Sequence, residues 1–144
     1  IETLIGLKPH LIIFHAEVKE DLLPIMQHIK KFDIKAGVGL LRTTVPSTVS
    51  NLIAEADHVM IFSGDLGKYG GTANMMQLEK VRLIRALRTD VEIGWDGGVT
   101  VENAYSLAQG GINVLNVGKT IASSDDPKTV YATLVNEVNK HGVL

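Results

Sequence analysis

The 144-residue chain contains no cysteine, which excludes disulfides and cysteine-ligated metal sites. That absence fits a reducing compartment, and a cytoplasmic location is expected. An excess of one charge is missing too. Fourteen Lys and Arg stand against sixteen Asp and Glu, for a net charge of -2, and no run of like charges forms a tail. No nucleic-acid partner is expected from that balance. The apolar runs are short, so none would cross a membrane. The opening "IETLIGLKPHLIIFHAE" has neither an initiator Met nor a basic start. It is not a signal peptide, and it reads as a sequence entered partway through. No Gly-x-Gly-x-x-Gly follows any apolar run, so the dinucleotide fingerprint is absent. "GKT" at 118–120 is not a P-loop, because position 113, where the earlier Gly would fall, is Asn.

What is present is an ordinary globular profile, 45% hydrophobic and 21% charged, enough for one domain over residues 1–144. Five apolar runs recur: "HLIIFH" (10–15), "KAGVGLL" (35–41), "HVMIF" (58–62), "VEIGW" (91–95) and "NVLNVG" (113–118). They are nearly continuous rather than alternating, which predicts strands covered on both faces of a parallel sheet. Segments of helical period follow them at 21–32, 46–56, 74–88, 100–111 and 126–140. Gly110 and Gly111 close the fourth, and Ser124 or Asp125 ahead of Pro127 opens the last. The pattern is five β-α units, an α/β fold with right-handed crossovers. An open doubly wound sheet, a piece of a (β/α)8 barrel and a half-barrel completed by a partner all fit it. A whole barrel takes about 250 residues and eight units.

In parallel sheets the carboxyl ends of the strands carry the functional rim. Asp96 sits at such an end. Gly97 and Gly98 after it bare the backbone amides, and Thr100 caps the next helix. Gly118 and Lys119 repeat the arrangement one unit later, where barrels often hold phosphate. Asp-Gly-Gly by itself is a turn signal; its pairing with Gly118-Lys119 makes it a candidate phosphate site. The stretch 62–75, "FSGDLGKYGGTANM", reads as a lid over substrate, with Gly70 and Gly71 adding amides. His15 ends the first strand and faces the rim. Met60, Met75 and Met76 read as core or pocket wall. His10, His28, His58 and His141 show no ligand spacing and read as solvated. Ile93 and Trp95 alternate with Asp96, so they pack against helices while Asp96 points inward.

With those residues in hand, the chain resembles the ribulose-phosphate 3-epimerase family, a TIM (β/α)8 barrel of the ribulose-phosphate-binding type. The resemblance keeps order along nearly the full length. "LIIFHAE" resembles the fourth strand, "IKAGVGL" with "TTVPSTV" the fifth and its loop, and "VMIFSGDLGKYGG" the sixth with its glycine lid. "IGWDGGVT" and "GINVLNVGKTI" resemble the seventh and eighth. Only the last five β-α units are then present.

The resemblance implies a phosphorylated ketose substrate and epimerisation beside its ketone through an enediolate held by a divalent metal (Zn, Fe, Mn or Co). Asp96 matches the residue that serves as both metal ligand and acid/base. Gly70, Gly71, Gly97, Gly98, Gly118 and Lys119 match the phosphate-binding segments. The remaining metal ligands, and the second acid/base, belong to the second and third strands. This chain departs from the family in its "SGDLGKYGG" lid, where Pro and "GFGGQ" are usual. Lys119 stands where Gly-Ser is common, and Trp95 where Val precedes the Asp. A non-catalytic sugar-phosphate binder and a decarboxylase- or synthase-like barrel are the alternatives. Five barrel strands also leave raw edges, so a homo-oligomer is expected, with the segment alone inactive and metal-free.

Overall fold

The computed structural model describes residues 1–140; His141 lies outside the described residues. The strands are β1 (Leu11–His15), β2 (Lys35–Leu40), β3 (His58–Phe62), β4 (Glu92–Asp96) and β5 (Val114–Asn116). The α-helices are α1 (Glu2–Gly6), α2 (Leu22–Lys30), α3 (Ser50–Glu55), α4 (Glu79–Leu87), α5 (Val101–Gln109), α6 (Lys119–Ala122) and α7 (Pro127–Val138). Turns of 3-10 helix over Pro46–Val49 and Met75–Leu78 lead into α3 and α4. The strands pair in chain order, β1-β2-β3-β4-β5, and every pairing is parallel. This consecutive order belongs to a barrel wall; a doubly wound sheet reverses its order at a switch point.

Period two sorts each strand into two faces. One face carries Val38, Leu40, Val59, Ile61, Ile93 and Trp95, all fully buried, against Met26, Ile29, Ile53, Ile84 and Leu107 of the helices. Ile93 and Trp95 thus pack against the helices as their alternation with Asp96 requires. The other face is the concave one, where side chains of neighbouring strands converge. Register aligns His15, Gly39, Met60 and Gly94 across it, an alternation of large and absent side chains that fits the curvature. A β-carbon on Gly94 would stand 2.4 Å from His58 Nε2.

Several expectations need correction. Coverage on both faces holds for β2, β3 and β4 but not for β1, all half-buried, or β5. Among the described residues these two strands have a neighbour on one side only. His58 is buried at 3% exposure, not solvated. Its ring lies over Gly94, and its Nδ1 meets Glu92 Oε1 at 2.8 Å. His28 is half-buried and bonded to Glu2 at 3.0 Å, while His10 is exposed. Met76 is 83% exposed rather than core or wall, whereas Met75 does pack against the core. The last helix is capped by Asp126, whose Oδ1 accepts from the Thr129 amide at 3.1 Å. Ser124 instead accepts from the Asp126 amide. The last strand is shorter than 113–118, and two short helices, α1 and α6, lie where none was expected.

Candidate functional site

Asp96 ends β4 on the concave face. The register sets it beside Phe62 of β3 on one side and Asn116 of β5 on the other. Its carboxyl is half-buried, and burial pushes it above the ordinary aspartate range. The Gly97 amide, the Asn116 side chain and the charge of His15 pull it back less strongly. His15 lies edge-on to Phe62, with centroids 5.8 Å apart. Its Nδ1 is 3.6 Å from Glu17 Oε2 and, although buried, has no hydrogen-bond partner. Met60 is buried on the same face and its sulfur faces Asn116 Nδ2 at 3.7 Å. His15 and Met60 are therefore both near Asp96.

The turn after Asp96 is held by side chains. Trp95 Nε1–H donates to the Gly97 carbonyl at 3.0 Å, and Asn103 Nδ2–H donates to the Gly98 carbonyl at 2.9 Å. The Thr100 amide donates to Asn103 Oδ1 at 2.8 Å as α5 begins, so Thr100 is the cap. With both carbonyls engaged from behind, the peptide orientation of the turn is set. Thr120 Oγ–H donates to the Val99 carbonyl at 2.5 Å, tying the β5 turn to the β4 turn.

The stretch 63–74 packs down onto these turns. The Ser63 amide donates to the Asp96 carbonyl at 2.7 Å, and Ser63 Oγ accepts from the Asn74 amide at 2.6 Å, closing the loop at its base. Asp65 pairs with Arg42 of the β2 loop. Gly97 and Gly98 have φ of +108° and +69°. A β-carbon on Gly97 would stand 2.3 Å from the Gly64 nitrogen, and one on Gly98 2.1 Å from the Ala73 nitrogen. The missing side chains thus seat the loop as well as baring amides. At the loop apex, Gly70 rests on the Lys119 stem, and the Tyr69 ring faces Gly118.

These elements enclose a cavity of about 400 Å³ whose lining includes Asp96, Gly70, Gly71, Gly97, Gly98, Gly118 and Lys119. The structure brings all seven together. Sequence reasoning missed Asn116, Lys68, Tyr69 and Thr120, which line it too. Asn116 was findable: it is polar in an apolar strand, two residues before Gly118 and so on the same face. Another cavity, of about 480 Å³, lies among β5, α5 and α7 and is largely aliphatic, and among the described residues Tyr131 is the one titratable group lining it.

A divalent cation needs several oxygen or nitrogen donors. Asp96 is one carboxylate, and among the described residues no three His, Asp or Glu side chains gather into such a set. The residues present do not complete a metal site.

Five parallel β-α units in chain order, with a cavity at their carboxyl rim, define a partial TIM barrel. The crystal structure of 3-hexulose-6-phosphate synthase from Salmonella typhimurium has the same fold. It superposes with a TM-score of 0.75 at 18% identity, over 98% of this chain and 67% of that one. The chain itself belongs to the ribulose-phosphate 3 epimerase family, whose sequence profile matches residues 1–122. It is 30% identical over 139 residues to the ribulose-phosphate 3-epimerase of Helicobacter pylori, and 29% identical over 135 residues to that of Escherichia coli K12. The matches take in 94% and 90% of this chain, but only 64% and 60% of those relatives' own lengths.

Proposed function

We propose that this chain supplies the phosphate grip and one proton-transferring carboxylate of a sugar-phosphate 3-epimerase, of the ribulose 5-phosphate/xylulose 5-phosphate type. The observation that carries the reading is that Asp96, half-buried with a raised pKa, lines the same cavity as three glycine turns and Lys119. A carboxylate so placed removes a proton from the carbon beside a ketone, and its raised pKa makes it the better base. Asn116 and the Gly97 amide orient the carboxylate. The loop 63–74 excludes water from the cavity, and its glycine backbone with Lys119 grips the phosphate.

One carboxylate serves one face of the reacting carbon. Return of the proton to the other face needs a second acid, and a metal-assisted form of the reaction needs further donors; both would come from outside the described residues. The same reading places the protein in the cytoplasm and takes this segment by itself to be a homo-oligomer. In support, among the described residues β1 and β5 each pair on one side only, so this segment by itself exposes two strand edges.

The test is proton exchange in the intact natural protein. Wild type should wash deuterium from heavy water into carbon 3 of ribulose 5-phosphate. Asp96→Asn should lose that exchange while keeping phosphate affinity. Full exchange in the variant would overturn the assignment.

A further inference from the structure

A second lysine lines the cavity. Lys68, at the loop apex, lines the same space as Lys119, and among the described residues Asp96 is the one acidic side chain lining it. Lys119 forms no ion pair among the described residues. Lys68 is 3.9 Å from Asp65, whose other oxygen is the one that pairs with Arg42. The two lysines come from loops distant in sequence, and the seating of residues 63–74 on Gly97 and Gly98 brings them to one cavity. Gly70 fixes the arrangement further: a β-carbon there would lie 2.0 Å from Lys119 Cδ, so the Lys119 stem occupies that space.

We infer that Lys68 and Lys119 form a two-charge clamp that makes this site selective for the dianion of a phosphate monoester over a singly charged group of the same shape. The inference rests on the phosphate reading above and goes beyond it, because backbone amides alone recognise shape and partial charge with little preference between one and two negative charges. Two ammonium groups match the charge that a phosphate monoester carries above its second ionisation, near pH 6. A phosphodiester or a sulfate ester leaves one of them uncompensated.

The test compares binding of ribose 5-phosphate and ribose 5-sulfate by calorimetry, at about pH 8 in low salt, in the intact natural protein. Wild type is expected to prefer the phosphate by roughly thirtyfold or more. Lys68→Met and Lys119→Met keep an apolar stem and remove the charge. Each is expected to cut phosphate affinity about five- to tenfold and to leave sulfate affinity nearly unchanged. Lys68 is 76% exposed, so its variant tests the clamp free of folding effects. A preference that survives both substitutions would overturn the clamp and leave the phosphate reading intact. Failure of wild type to bind either ester would overturn both.

Discussion

Gly98 meets the Ala73 backbone so closely that a β-carbon on it would stand 2.1 Å from the Ala73 nitrogen and 2.5 Å from the Thr72 carbonyl carbon. The β4 turn and the loop over it are therefore one packed unit, made possible by a missing side chain.

Gly67 separates contact from conformation. It also has positive φ, +76°, but nothing lies within 4 Å of a β-carbon there. Gly67→Ala is expected to cost about 1–2 kcal/mol, the left-handed penalty alone. Gly98→Ala should cost about 1–3 kcal/mol more through the forced displacement of the loop. Urea midpoints of the two variants measure the difference, and equal losses would rule out a tight seat.

Asp96→Asn should lower turnover by about two to four orders of magnitude. Because burial raises the Asp96 pKa, the acid limb of the wild-type kcat/KM profile should lie above the ordinary aspartate range, with activity falling as pH drops through it. A limb at or below that range would show that burial does not set the ionisation of Asp96 in the intact protein.

The same substitution has a stability signature of definite sign. A folded-state pKa above the unfolded one means that folding favours the protonated carboxyl. Ionised Asp96 thus weakens the fold at neutral pH, and that cost vanishes once pH falls below the unfolded value. Asp96→Asn should raise Tm at pH 7 and converge with wild type in acid. A Tm difference that grows on acidification would contradict the burial argument.

His58 and Gly94 should be energetically coupled. Gly94→Ala is expected to destabilise wild type by about 1–3 kcal/mol, because the new methyl meets the imidazole. In a His58→Ala background most of that cost should disappear. A double-mutant cycle in urea reads the coupling, expected at about 0.5–3 kcal/mol; strict additivity would mean the ring does not fill that space.

Lys80 lies in the first turn of α4 at 7% exposure, and its Nζ donates to the Leu41 and Arg42 carbonyls at 2.5 and 3.2 Å. Burial holds its amine below the ordinary lysine range, opposed by Glu17. Lys80→Met leaves the two carbonyls short of a donor and should cost about 1–3 kcal/mol. Chemical denaturation checks this, and a loss under about 0.5 kcal/mol would make the bonds incidental.

The five strands, their parallel pairing and the inward face of Asp96 were legible in the chain, because period-two burial and β-α alternation are local properties. Ile93 and Trp95 against Asp96 is one such case: alternation alone decided which side each faces. The candidate site residues were legible for a related reason, since a strand end followed by glycines marks the rim wherever the strand lies.

What only the tertiary structure decided depends on neighbours far away in sequence. His58 reads as a solvated polar residue until Gly94, thirty-six positions on, leaves room for its ring. Met76 shares the helical period that buries its neighbours, yet it sits in the 3-10 turn before α4, where the period of the buried face is broken. Lys68 carries no local mark at all, and joins Lys119 only because Gly97 and Gly98 let the loop settle onto the β4 turn. Periodicity records which way a side chain faces; what it faces is set by packing between segments, and that is where the clamp and the seated loop arise.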